Sequence, residues 1–476
     1  MKARIFAEEN KKWWTLAAVA FGLFMIMLDN TIVNVALPSI ERDLHMSISS
    51  LEWIVTAYAL TFAALLITGG KLGDYYGRRK MFILGLAIFT LSSLACGFAP
   101  NAGFLIGMRA VQGAGSALMN PATLSIITAT FAPSERGRAI GIWAGTSAMA
   151  LSIGPLLGGL IVDNLNWNWI FFVNVPVGVV GIAVSALVIR ESRDTSAEQS
   201  IDFPGLLTSG LGLLALCYAL IEGNKHGWAS AEIVGLFAAS AVLLGAFVIL
   251  EARQRLPMLD LSLFRNSTFS GSNLVALLVS LGMFGVFFYV SLYVQNILGY
   301  SPTKAGATFL PMTILIVLIA PLAGHFSDVI GSRWLMGVGM TLLGIGGLLY
   351  QRIGVHTSYW VLLPPMLVGG VGMAMTMSPM TSAAMASVPI DKAGVGSGVL
   401  NSFRQVGGSL GIALMGAILV SYAHPGSRNP QDFVNGLHAA LLTSAGIAFA
   451  AAIVAVVLVK PSRRGEPQRA AETLAA

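Results

Sequence analysis

The chain has 476 residues, 55% of them hydrophobic and only 11% charged, with a formal net charge of +6 and two cysteines. Soluble domains carry roughly 25% charged residues, so the composition excludes an ordinary water-soluble enzyme and specifies an all-α membrane protein. Cys96 and Cys217 sit inside apolar runs and form no disulfide framework.

Lys2, Arg4, Lys11 and Lys12 precede an apolar run over 13–37 whose one charge is Asp29. That run is too long for a signal-peptide core and predicts an uncleaved first span with its amino end in the cytosol. Further runs long enough to cross a ~30 Å hydrocarbon layer lie at 51–70, 81–99, 104–131, 140–162 and 168–189. After a polar break come two more, at 204–222 and 232–251, then six at 268–297, 304–326, 334–350, 359–386, 395–421 and 435–459. The expected layout is a six-helix bundle over 1–189, a cytosolic linker with an inserted transmembrane hairpin over 190–267, a second six-helix bundle over 268–459 and a cytosolic tail over 460–476.

Basic residues test that count, because one missed span would invert every later loop. With the amino end inside, only Arg42, Lys225, Lys304, Arg352 and Arg428 fall on outer loops, and Arg109 and Arg404 fall within spans; every other Lys and Arg faces the cytosol. Both termini are therefore expected inside, and the positive charge marks topology, with no nucleic-acid partner implied. The halves also repeat. Asp74 to Asp328, Gly77 to Gly331 and Arg79 to Arg333 are each 254 residues apart, and the same step carries Arg138 onto Lys392 and Gly154 onto Gly408. A shared register at several landmarks indicates a duplicated chain.

Charges inside spans are the candidates for chemistry. Asp29 lies about 24 Å along its helix from Trp13; it either ends the apolar run at an interface or binds a proton in competition with a cationic substrate. Asn30 and Asn34 give that helix a polar face. Arg109 either snorkels to headgroups or turns inward with Gln112, one helical turn along. Arg404, about 13 Å into its span, lies with Asn401 and Gln405 and is expected near the midplane, with no partner that the sequence names. Tyr289, Tyr293 and Met377, with neighbouring Met and Phe residues, either line a compliant substrate pocket or pack between helices. Gly154, Pro155, Gly158 and Gly159 make a nearly bare helix surface for close packing or sliding. Gly73, Asp74, Gly77, Arg78 and Arg79, with Asp328, Gly331 and Arg333 in the second copy, form short cytosolic turns in which Asp74 caps a helix or pairs with a guanidinium and the basic side chains face lipid headgroups.

Several functions lack their residues. The chain has no Gly-x-x-x-x-Gly-Lys-Ser/Thr phosphate loop and no His-Glu-x-x-His metal pattern, and its one Gly-x-Ser-x-Gly match, at 407–411, lies within a span. Neither cofactor nor metal is expected, and any work this chain does in the membrane would have to come from a gradient and not from ATP hydrolysed through that loop.

Gly70-x-x-x-Asp74-x-x-Gly77-Arg78-Arg79 resembles motif A of the major facilitator superfamily. Leu28-Asp29-x-Thr31-Ile-Val-Asn34-Val-Ala-Leu-Pro38, Arg109-x-x-Gln112-Gly113-x-Gly115 and Ala150-x-x-x-Gly154-Pro155-x-x-Gly158-Gly159 narrow the likeness to its fourteen-span drug:proton antiporters. The first glycine of that last signature is replaced by Ala150, and the second motif A has Ser332 in place of its first basic residue. The resemblance implies two six-helix bundles rocking about a midplane cavity, a proton site at Asp29, a coupling role for Arg109, and export of small lipophilic or cationic compounds across the inner membrane. Export of an endogenous metabolite, lipid-like molecule or peptide is the alternative. A polytopic enzyme or a sensor fits less well, for want of a catalytic constellation or a signalling tail. Docking of a periplasmic adaptor is left open.

Overall fold

The computed structural model describes residues 8–193, 202–254, 257, 259–389, 393–422 and 429–460. Within them every apolar run is helical and no strand occurs, as lipid demands of a backbone that must satisfy its own hydrogen bonds. The first half comprises α1 (Glu8–Leu44), α2 (Ile48–Tyr76), α3 (Arg78–Gly97), α4 (Ala102–Thr130), α5 (Pro133–Asn164), the short α6 (Trp169–Phe172) and α7 (Asn174–Val188). The hairpin is α8 (Phe203–His226) and α9 (Ala231–Arg253). The second half comprises α10 (Ser267–Leu292), extended by a π turn over Tyr293–Ile297, then α11 (Pro302–Thr308), α12 (Leu310–Ile330), α13 (Ser332–Leu349), α14 (Tyr359–Ala386), α15 (Ala393–Tyr422) and α16 (Pro430–Leu458).

The helices begin where short polar side chains can accept a free backbone N–H: Ser47 caps α2, Asn101 caps α4, Ser230 caps α9 and Ser301 caps α11. Among the described residues, thirteen helices are long and apolar enough to cross a bilayer. The fourteenth crossing is α4, whose hydropathy is lowered by Arg109, Gln112 and Asn120, all turned into the protein.

Packing repeats the sequence duplication. In the first half α1 packs on α5 and α7, α2 on α4, and α3 on α4 and α7. In the second half α10 packs on α15 and α16, α12 on α14, and α13 on α14 and α16, the same set with each helix replaced by its counterpart. The halves meet where α2 lies on α15 and α5 lies on α11 and α12, two contacts that the same exchange interconverts. The hairpin lies against α2 and α15, on one flank of this seam.

Gly77 (φ +114°) joins α2 to α3, and Gly331 (φ +94°) joins α12 to α13. Both occupy backbone conformations that L side chains rarely adopt, so the matched glycines of the repeat build the same corner twice. Lys392 and residues 461–476 lie outside the described residues, as does the side chain of Asp328.

Candidate functional site

The charge pair in the first half is built from two helices. Asp29, in the middle of α1, is fully buried, and Arg109, near the start of α4, is 1% exposed. Arg109 Nη1 donates to Asp29 Oδ2 at 2.5 Å and to Gln112 Oε1 at 2.7 Å, and Gln112 Nε2 donates to Asp29 Oδ1 at 3.0 Å. Nε of Arg109 donates to the carbonyl of Ile54 on α2 at 3.1 Å. Tyr58 stacks its ring 4.3 Å from the guanidinium carbon and shares a 2.8 Å hydrogen bond with Ser116. Three helices therefore close on one ion pair, and both carboxylate oxygens are occupied. Burying two charges is costly and is tolerated only with this degree of hydrogen bonding. Of the readings open to Arg109, the inward one is observed; its position near the helix end left snorkelling available, but the Asp29 carboxylate supplies the counter-charge.

The end of the molecule opposite motif A is sealed between halves. An apolar cluster runs through the ends of α1 and α2 into Phe288, Val290, Leu292 and Val294 of α10 and its π turn. Polar contacts follow the same line: Ser291 Oγ donates to the Asn34 carbonyl at 3.0 Å, Gln295 Nε2 to the Val35 carbonyl at 3.1 Å, Asn296 Nδ2 to Glu41 Oε2 at 3.1 Å, and the Thr303 amide to Asp163 Oδ2 at 2.8 Å. The bare stretch of α5 serves two neighbours. Gly154 and Gly158 admit Thr31 and Ile32 of α1, while Gly159 faces the Pro302 carbonyl and Gly306 of α11 faces the Pro155 carbonyl, so that any Cβ at these glycines would collide. Nearer motif A, a Cβ at Gly141 or Gly145 would meet nothing within 4 Å.

Motif A is tied inward. Asp74 Oδ1 accepts Arg78 Nη2 at 2.8 Å and Nε at 3.0 Å. The amino end of α3 is capped by Glu191, which accepts the amides of Arg79 and Lys80 at 3.1 and 3.3 Å, and Arg79 Nη2 donates to the Ala186 carbonyl at 2.6 Å. The Arg78 guanidinium thus pairs with Asp74, one of the two roles expected of that aspartate, and the Arg79 guanidinium is held by the Ala186 carbonyl of α7, where the expectation had both side chains facing headgroups. Gly73 is buried one turn before the corner. In the second copy Arg333 stacks 5.3 Å from the Trp334 ring.

The remaining candidates scatter. Asn30 and Asn34 are buried but donate to carbonyls of their own helix, those of Ile26 and Asn30. On α15, Gln405 is buried and Asn401 half-buried, donating to the Ser397 carbonyl. Half-buried Arg404 has no hydrogen-bond or ion-pair partner among the described residues. Tyr289 and Tyr293 are fully buried in the apolar cluster of the seam, their hydroxyls being spent on Glu52 Oε1 (2.9 Å) and the Gly354 carbonyl (2.6 Å). Met377 is half-buried on α14. A methionine-rich void of about 70 Å³ does exist within the second half, lined by Met283, Phe287, Met312, Met340 and Met373. That is far below the ~300–1,000 Å³ of a drug-sized pocket.

Glu52 is the residue that sequence reading passed over. It is 1% exposed, on the second turn of α2. Its position at the edge of an apolar run disguised it as a boundary.

The chain matches the Major Facilitator Superfamily over residues 19–412. It belongs to that family. It is 36% identical over 411 residues to the multidrug resistance protein Stp of Mycobacterium tuberculosis (strain CDC 1551 / Oshkosh), covering 86% of this chain and 76% of that one. It is 34% identical over 473 residues to the puromycin resistance protein pur8 of Streptomyces alboniger, covering 95% and 92%. The tetracenomycin C resistance and export protein of Streptomyces glaucescens is 34% identical over 418 residues, covering 87% and 77%. Among solved structures, an inward-facing bacterial homolog of the human lysosomal transporter Spinster matches with a TM-score of 0.67 at 18% identity, over 95% of this chain and 98% of that one, a likeness of fold. This facilitator is a multi-pass membrane transporter and not an enzyme.

Proposed function

We propose that the chain is a proton-coupled antiporter that exports small lipophilic, often cationic compounds from the cytosol by alternating access. The observation that carries the reading is the Asp29–Arg109–Gln112 cluster, a buried carboxylate whose charge is met by one guanidinium on a neighbouring helix. Adding a proton to Asp29 cancels half of that pair and changes what the first half holds together, which is what coupling requires. The resistance and export functions named for its relatives favour drug-like cargo over an endogenous metabolite, lipid or peptide.

Both termini lie in the cytosol in this reading, so the end opposite motif A is the outer one and the conformation is closed to the outside. Motif A, Gly154–Gly159 and the second copy at Asp328–Arg333 act as conformational elements, and Arg404, Gln405 and Asn401 border the substrate path. No cofactor is needed, since the proton gradient supplies the work.

Ethidium movement in energised inverted membrane vesicles tests this. Wild-type protein is expected to pump ethidium until an uncoupler is added, and Asp29→Asn to insert normally and pump none. Uncoupler-resistant pumping, or full pumping by Asp29→Asn, would remove the proposal.

A further inference from the structure

Glu52 sits where three helices from both halves meet, and the proton count around it is unusual. Tyr289 Oη of α10 lies 2.9 Å from Glu52 Oε1 and 2.9 Å from the Ile412 carbonyl of α15. Each contact needs one hydrogen, yet a phenol has only one, and it can point fully at only one acceptor. The second hydrogen has one available source, the carboxyl of Glu52 itself. With Glu52 protonated on Oε1, it donates to Tyr289 and Tyr289 donates to Ile412, and both contacts are complete. Oε2 of Glu52 is buried and has no partner, which is tolerable for the carbonyl oxygen of a neutral acid and costly for a carboxylate.

Among the described residues no cation acts on Glu52. Facing Glu52 from the hairpin is Glu222, itself engaged by Trp53 Nε1 at 3.4 Å and Lys225 Nζ at 3.5 Å. From α10 the facing group is Tyr289, and α15 presents Gly416, where any Cβ would strike both the carboxyl and the phenol. Arg109 of α4 reaches α2 only at the Ile54 carbonyl and is committed to Asp29.

We infer that Glu52 is a second proton-binding site, carrying its proton while the seam opposite motif A is closed and releasing it when that seam opens. The inference deepens the proton-coupled reading and rests on it for its role in transport. Opening moves the second half, with Tyr289 and Ile412, away from α2, removes the acceptor and admits water to the carboxyl. The proton leaves to the outer side that has opened and is taken up again from that side on closing, so Glu52 gates the seam and carries no net proton across, and no other reactant is involved.

The test uses the full chain in lipid nanodiscs, with infrared difference spectra on raising pH and a spin-label pair at Leu165→Cys and Trp360→Cys, exposed positions at this end of the two halves. The native thiols Cys96 and Cys217 are buried. Wild type is expected to lose a protonated-carboxyl band as the label distance widens. In Glu52→Gln that band should be missing from the start and the widening lost, while Asp29→Asn should keep the band. Retention of the band in Glu52→Gln, or widening at the wild-type midpoint, would overturn the inference. Where Glu52→Gln fails to insert, Tyr289→Phe decides: the acid remains but its acceptor is gone, so the midpoint must shift, and an unchanged midpoint overturns the inference. The antiport reading fails separately, by uncoupler-resistant ethidium pumping, whether or not Glu52 holds a proton.

Discussion

Replacing Asp29 by Asn removes one charge and almost no volume, so it isolates what the ion pair contributes to stability. The guanidinium of Arg109 would stay 1% exposed with no carboxylate. Breaking a buried pair from one side costs about 3–5 kcal/mol. The lower end applies here, because Arg109 keeps the Ile54 carbonyl, Gln112 Oε1 and the Tyr58 ring, and a desolvated cation–π contact alone is worth about 2 kcal/mol. A loss of about 3 kcal/mol is therefore expected, read from denaturant titration of the purified protein in detergent. Arg109→Gln should cost a similar amount by stranding the carboxylate. The double variant strands neither, and should recover most of one single-variant loss, a coupling of about 2–3 kcal/mol. Single losses that add to within about 0.5 kcal/mol would mean that the two groups do not stabilise each other, and the site as described would fail.

Arg404→Met should leave the protein at least as stable as wild type, since no partner among the described residues is lost, while changing the rate of cationic dye efflux; a clear loss in the same titration would reveal a partner. Gly306→Val should wedge the seam between α5 and α11, because its Cβ lands on the Pro155 carbonyl. A cysteine placed at the buried Gln295 should then react faster with a water-soluble maleimide than in wild type, and equal rates would refute the contact. Asp74→Ala removes an i,i+4 pair whose side chains are 40% and 21% exposed, a change worth about 0.3–0.5 kcal/mol. Stability should barely move while ethidium turnover falls, and unchanged turnover would reduce the motif to a marker of topology.

The fold was largely legible because it is written in hydropathy and in a 254-residue echo, both of which survive without neighbours. Gly77 and Gly331 share a positive φ because the repeat preserved the residue that makes the corner possible. Asp29 and Arg109 were each legible as charges where lipid forbids them, but their pairing was not, since 80 residues separate them and helical rise fixes depth without fixing which helices adjoin. Motif A shows the opposite error. Its basic residues have a ready role at headgroups, and only the folded chain brings Glu191 and the Ala186 carbonyl to them. Glu52 failed at the edge: a carboxylate beside a span boundary looks interfacial, and the Tyr289 and Ile412 groups of α10 and α15 that close on it lie more than 200 residues away.

Those two carboxylates share a mechanical element. Arg109 grips α2 at the Ile54 carbonyl, two residues beyond Glu52 on the same helix, so the ion pair of α1 and α4 and the seam acid of α2 are joined by less than one helical turn. A backbone carbonyl in a helix cannot move without its turn moving. On the proposed coupling, a proton on Asp29 would remove the charge that Arg109 is paired with and leave the Ile54 carbonyl, Gln112 and the Tyr58 ring to hold it, so the load on the Ile54 contact would change. Opening of the seam, as inferred above, would take Tyr289 away from the second turn of α2 and draw the same contact from its other side. On the two proposals together, protonation of Asp29 and closure at Glu52 would bias one turn of one helix, and coupling between them would need no longer path through the protein.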